Sequence, residues 1–389
     1  MAASATLIAK CRAQRQSGYP TIRFTHDSST YDSDVLEVSD IHRNSSLSSG
    51  QAIVSVDNTD GGWNGFSTSS TAMGCAASIA LKFSDDAETL CMFTGTVERV
   101  EFLEPHGSVC KIYLRDKMAK MLNQRVGSGA TAAGDAADYA SLGSPGVAGR
   151  DLSQPFHPAD IVWDLLVEHG GLDNDTTSAN TDIMVTNWET WKAALDANFR
   201  IRAWFTGQTI RDALLRIAQM TDSYIWINGA GKVDFRFGGT SGETYTASNS
   251  RFISLEQETV NMINATDIYS GYDIESGIWR YDERSATTGA SQAQYGDFIY
   301  VDRDTTIWPY SVYSADIMET HIHASYPYPV KILTLEVPLQ GFLNDISYQI
   351  DYTNSTMSMT NITPILEDAT YRMSGNRRWT AEQSFRWDW

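Results

Sequence analysis

Acidic and amide side chains gather in QAIVSVDNTDGGWN, residues 51–64, where Asp57 and Asp60 stand three apart ahead of Gly61 and Gly62. Oxygen donors at that spacing suit a divalent cation or a polar ligand. A calcium loop of the EF-hand type, however, spreads its oxygens over about twelve positions and closes on a Glu. Here the donors run into Gly-Gly-Trp-Asn-Gly-Phe with no closing acid. An Asx turn, in which a short side chain accepts from a backbone N–H two residues on, uses the same residues without a ligand. His321 and His323 form the one close histidine pair, HIH. On a strand the two rings share a face and could hold a metal, whereas on a helix they would not face each other. Asp302 and Asp304 in VDRDTT pair only by proximity, and a solvated turn is the expectation there. No GxSxG, P-loop or HExxH pattern occurs, so no residue is assigned to catalysis, metal binding or cofactor binding.

The elements that would position these groups follow from periodicity. AIVSV (52–56), AASIALKF (76–83), LCMFTGTVERVEFLE (90–104) and SVCKIYLRD (108–116) read as strands. In the last, Cys110, Ile112 and Leu114 alternate with Lys111, Tyr113 and Arg115, the period of two of a half-buried strand. EPHG (104–107) marks a hairpin turn, and RDKMAKMLNQ (115–124) a short amphipathic helix with Met118, Met121 and Leu122 on one face. Residues 127–150 are rich in Gly, Ala and Ser, without apolar periodicity, and read as a loop. Between 156 and 222 the period becomes helical. Pro158 opens one helix that ends on Gly170, Thr186 and Glu189 offer a capping box, and Ile210, Ala213, Leu214 and Ile217 share a stripe. YIWINGAGKVDFRF (224–237) is a hairpin signal. Residues 238–250 and 284–300 read as polar loops, and KILTLEVP (331–338) and ISYQIDYT (346–353) resume the strand pattern.

Composition narrows the class. Apolar residues make up 42% and charged residues 20% of 389, which describes a folded globular chain rather than a disordered one. A formal net charge of −19 repels nucleic acid over most of the surface. No apolar run approaches the roughly 20 residues that span a bilayer, so membrane insertion is not expected. The N-terminus lacks the leading basic region and long apolar core of a secretory signal, so folding in a cytoplasm is expected. The four cysteines, Cys11, Cys75, Cys91 and Cys110, are irregularly spaced with no CxxC pair and read as reduced core side chains. The C-terminus, RRWTAEQSFRWDW, carries Trp379, Trp387 and Trp389, which either anchor a partner or bury the core face of a last strand.

Taken in order, AIVSVDNTDGGW, FTGTVERVEF, IYLRDKMAKML, PADIVWDLLVEHGGL, TGQTIRDALLRIAQMTDSYIWINGAGKVDFRF and YPVKILTLEVPLQGFLNDISYQIDYT resemble the baseplate hub proteins of bacteriophage tails, the family of the phage T4 hub. Type VI secretion spike proteins are similar in their N-terminal part. The resemblance covers most of the chain and implies a β-rich α+β fold: two similar β-barrel tube domains with a more helical accessory domain, three copies forming a pseudo-sixfold ring. On this reading the first tube domain spans 1–126, a flexible loop 127–150, the accessory domain with its hairpin 151–250 and the second tube domain 251–389, the strands of 224–237 being assignable to either. The implied role is structural rather than enzymatic. The homotrimer would bind a tail tube or distal tail protein above, a separate trimeric spike below and wedge proteins around it, with DNA only in transit. It would be assembled in the host bacterial cytoplasm and reside in the virion. No cofactor is implied. A peripheral receptor- or glycan-binding protein and a tail-associated cell-wall hydrolase are the alternatives.

Overall fold

The computed structural model describes residue 9 and residues 19–24, 30–31, 35–48, 50–68, 72–82, 89–103, 107–126, 137–138, 155–174, 181–205, 207–259, 261–286, 289–337, 339–373 and 379–387. The expected loop at 127–150 lies almost wholly outside them, as do the EPHG turn up to residue 106, Cys11 and Trp389.

Two cores organise these residues. The first belongs to one 14-stranded sheet. Its unbroken path runs from Arg251–Glu258 through Val330–Val337, Trp379–Trp387 and Ile365–Met373 to Val35–Asn44. It continues through Gln51–Asp57, Val109–Asp116, Thr89–Leu103, Ala76–Lys82 and Tyr19–Phe24 to Thr30–Tyr31. Alternation places the core as the sequence dictates: Cys110, Ile112 and Leu114 are buried, as are Leu333, Leu335 and Val337, and Ile346, Ile350 and Tyr352. Each such aliphatic side chain contributes about 1.5–3 kcal/mol when removed from water.

The early and late β-regions meet edge to edge, Val35–Asn44 pairing antiparallel with Ile365–Met373 in the register Ala369↔Arg43 and Tyr371↔Ile41. The two expected β-rich regions are therefore continuous in one sheet. Among the described residues no closed barrel is formed. Thr240–Thr246, in a segment expected to be loop, pairs parallel with Tyr348–Asn354 and folds Tyr245 over the late half of the core. A polar strand whose partner lies about a hundred residues away leaves no local signal.

The second core is helical. The helix Ile210–Met220 buries Ile210, Ala213, Leu214 and Ile217, and its Thr209 side chain caps Asp212 N. Pro158 occupies the first turn of Pro158–Asp164, which widens into a π-helical turn at Leu165–His169 before Gly170. The expected capping box at Thr186 and Glu189 is not formed. Ile183 bridges Val233 and Met184 N donates to Val233 O, so the helix Val185–Ala194 starts early and Thr186 falls inside its first turn. Residues 251–389 feed both cores: Leu333 and Phe385 lie in the first, whereas Ile268, Ile307, Ala315, Met318 and Ile322 lie in the second. The helices Gly289–Tyr295 and Val312–Ser325 stand within this stretch.

The hairpin Ser223–Ile227 and Val233–Phe237 is shared between the cores. Side chains of a strand point alternately to opposite faces. Tyr224 and Trp226 accordingly enter the sheet core, while Ile225, Val233 and Phe235 enter the helical core. Asp234 is buried, bonded to Asn187 and Asn228, and Phe237, at the open end of the hairpin, is 38% exposed, so the second strand departs from the simple apolar-in alternation.

Two buried titratable groups have opposite acid responses. Burial pushes the Asp116 carboxyl up to about 6, and pushes the His157 imidazole down to about 4. His157 binds protons more readily unfolded, so its contribution is present above pH 6.5 and is lost as pH falls toward 4. Asp116 binds them more readily folded, so its contribution grows as pH falls from 6 toward 3.8. The two largely offset one another. Asp116→Asn keeps an oxygen for Met118 N, which donates to Asp116 Oδ1 at 2.7 Å. The asparagine amide nitrogen cannot accept from Gly50 N as the carboxylate does, so against the unsubstituted chain this variant is expected to gain only about 1–2 kcal/mol at pH 8 and to lose that gain by pH 4, in denaturant titrations across the range.

Candidate functional site

The DNTDGG segment is a structured turn built on an amide. Asp57 Oδ1 accepts from Thr59 N at 3.0 Å and Asp60 Oδ1 from Gly62 N at 2.8 Å, the Asx turns expected of these residues. Both carboxylates stand at the surface. The organising residue is Asn58, 4% exposed. Its Nδ2 donates to Asn64 Oδ1 at 2.9 Å and Gly107 O at 2.8 Å, and its Oδ1 accepts from Trp63 N at 2.8 Å. That bond seats Trp63 in an aromatic cluster with Phe24 and Phe66. Asn58→Ala strips a buried loop of three bonds and is expected to cost about 2–3 kcal/mol in chemical denaturation, whereas Asp57→Ala or Asp60→Ala should each cost under about 1 kcal/mol.

His321 and His323 lie on the helix Val312–Ser325 and diverge. His321 packs its ring against Phe199 and Phe237, and its Nδ1 lies 3.3 Å from Met220 O. His323 lies 3.4 Å from Glu319 one turn away. Among the described residues no group of three or more His, Cys, Asp or Glu side chains converges.

Asp302 and Asp304 overturn the expectation of a solvated turn. Asp302 is 3% exposed and ion-paired to Arg216 Nη2; Arg216 Nε lies 3.3 Å from Asp304. Arg216 Nη1 donates to the Tyr300 hydroxyl at 2.8 Å. The cation comes from the helix Ile210–Met220, so the cluster ties that helix to the strand Ile299–Asp302. It is a closed ionic clamp rather than a pair of acids poised for hydrolysis.

The tryptophans separate. Trp379 is 3% exposed and meets Phe342 edge-on at 5.3 Å, deep in the first core. Trp387 is half-buried, with Lys331 Nζ 4.3 Å from its ring centroid. Cys110 is fully buried, its thiol pushed up to about 11 by desolvation. Cys91 is half-buried and donates to Gly229 O at 3.2 Å.

A cleft of about 610 Å³ opens between the cores, with Met262, Ile299, Tyr326, Val330, Ile332 and Arg386 on its walls. The lining is mixed: beside these apolar groups stand Gln219, Asn261, Tyr300 and an Arg386–Glu367 ion pair at 3.4 Å. It offers no nucleophile beside a base.

A point missed in the sequence is Arg43. Its side chain is 8% exposed, donates to Met92 O at 2.6 Å, lies 3.5 Å from Asp345 and stacks at 5.1 Å over the Tyr371 ring. An arginine in the polar run DIHRN gives no local sign of burial.

No family model matches the sequence, and no curated protein matches it. Solved structures do match. The prophage MuSo2 tail protein from Shewanella oneidensis is 13% identical, with a TM-score of 0.52 over 95% of this chain and 97% of that one. A tail protein from Neisseria meningitidis is 10% identical, with a TM-score of 0.59 over 96% and 97%. A prophage tail protein from Listeria monocytogenes is 9% identical, with a TM-score of 0.51 over 94% of each chain. The resemblance seen in the sequence therefore holds at the level of the fold, which the chain shares with phage and prophage tail proteins along nearly its whole length.

Proposed function

We propose that this chain is a structural protein of a phage tail, the hub of the baseplate. Three copies close into a ring that joins the tail tube above to a separate spike below and lets DNA pass once the spike leaves. The observation that carries this reading is the extent of the fold match. Tail proteins match over 95–96% of this chain and 97% of their own length.

The sheet supports the ring. Its terminal strand Arg251–Glu258 is paired on one side only among the described residues, and Ile253 on it is 42% exposed. Open edges of this kind invite strand pairing with another chain unless something covers them. A head-to-tail contact between copies covers them all when its rotation closes. The outward face of the sheet carries Glu98, Glu101, Glu336 and Glu382 with Arg99, Lys111 and Arg115 between them, within a chain of net charge −19. Several of these charges are ion-paired, so it is the net charge of the whole chain, rather than this balanced face, that disfavours holding phosphates. We further propose that the first tube domain spans 1–126, and that the second combines 240–258 with 330–389.

Mass photometry of the purified chain, followed by electron cryo-microscopy of assembled particles, tests the reading. A threefold ring on the tail axis is expected. A chain that stays monomeric at high concentration and lies at the periphery of the particle would sink it.

A further inference from the structure

Arg43 touches three parts of the molecule that are far apart in sequence. Its own strand, Val35–Asn44, is the seam between the two halves of the sheet. Its Nη2 donates to Met92 O on the early half, and its Nη1 faces Asp345 on the late half, where Tyr371 lies beneath the guanidinium. The third contact is the tip of the shared hairpin, residues 228–231. A Cβ on Gly229 would lie 2.3 Å from Arg43 Nη2 and 2.4 Å from Cys91 O, so glycine alone lets the tip sit this deep. Gly229 O in turn accepts from Cys91 Sγ at 3.2 Å and from Thr94 Oγ1 at 3.4 Å. Gly231, at φ +70°, turns the chain back in a conformation that other residues resist.

We propose that Arg43 and the hairpin tip form a coupling node, through which a displacement of the helical unit is passed to both halves of the sheet at once. The hairpin is suited to this because its alternate side chains are embedded in both cores. It cannot shift with the helical core without dragging Tyr224 and Trp226 through the sheet core. A planar guanidinium holds several donors in fixed directions, so movement of any one partner reorients it against the others. The proposal rests on this geometry and stands apart from the assignment to a tail hub.

Cys91 lies under the tip and serves as the reporter. The full-length chain is treated with a maleimide under native conditions, and labelling at Cys91 and at the fully buried Cys110 is followed by mass spectrometry of peptides. Thr94→Val removes one donor to Gly229 O and is expected to speed Cys91 labelling about fivefold with Cys110 still protected. Arg43→Lys keeps the charge but not the fork, and is expected to act in the same direction. Gly229→Ala should expose Cys91 by tenfold or more. If the contacts form one node, Thr94→Val with Arg43→Lys together will do little more than the larger single change, since residues sharing a network are not additive. Two outcomes overturn the proposal: Cys91 labelling unchanged in both Thr94→Val and Arg43→Lys, or their effects multiplying fully in the double variant. A parallel rise at Cys110 also counts against it, because that marks global loosening rather than release of the tip. Should Gly229→Ala not fold, the other variants decide.

Discussion

Arg216→Met is expected to destabilise the helical unit by about 3–5 kcal/mol, one of the two largest single-residue effects anticipated for this chain. The reason is what the substitution leaves behind. Asp302 is 3% exposed and takes its charge compensation from Arg216, with Asp304 on the same cation. Without the guanidinium, a carboxylate stays buried with no counter-charge, and stranding one partner of a buried pair costs far more than the pair contributes to stability. The Tyr300 hydroxyl loses its donor as well. A second variant separates charge from packing. Arg216→Met combined with Asp302→Asn and Asp304→Asn removes both acids with the cation and should recover more than half of the loss. The measurement is chemical denaturation followed by tryptophan fluorescence. A single-variant loss below about 1 kcal/mol would mean that the cluster is hydrated and behaves as a surface pair.

That cluster also shows what the sequence could and could not disclose. Local signals were sound where one segment decides its own structure. Cys110, Ile112 and Leu114 announced a half-buried strand, the stripe at 210–217 announced a helix, and the NGAG turn announced a hairpin, although the capping box at Thr186 and Glu189 did not form. They failed where the deciding partner is remote. Asp302 reads as a solvated acid because its arginine is 86 positions away, and Arg43 reads as surface because Asp345 and Tyr371 come from the far end of the chain. The joining of the two β-regions was hidden in the same way, since it depends on residues 35–44 meeting 365–373. At DNTDGG the acids drew attention because charge suggests chemistry, yet the buried amide of Asn58 between them holds the turn. The partner-or-core alternative for the C-terminal tryptophans could not be resolved by spacing alone, because Trp387 and Trp389 share one face under either reading.

Trp379 is buried in the first core, and the expected result is a sharp contrast with Trp387. Trp379→Ala should cost about 3–5 kcal/mol, the range for deleting a large aromatic from a packed core. Trp379 begins the strand Trp379–Trp387, which lies between Val330–Val337 and Ile365–Met373, and it packs against Phe342, itself in contact with Tyr371. Tyr371 in turn supports the Arg43 guanidinium, so a cavity at Trp379 reaches the seam between the two halves of the sheet. Trp387, at the other end of the strand, is half-buried under Lys331 and keeps one side toward solvent. Trp387→Ala should therefore cost no more than about 1–2 kcal/mol of fold stability. If Trp387 anchors a partner, as proposed for the C-terminal end, that variant will fold and yet fail to assemble, while Trp379→Ala will lose both together. Denaturant titration of the isolated chains, paired with sedimentation of assembled particles, distinguishes the two. Equal destabilisation by both substitutions would place Trp387 in the core and remove it as a candidate contact.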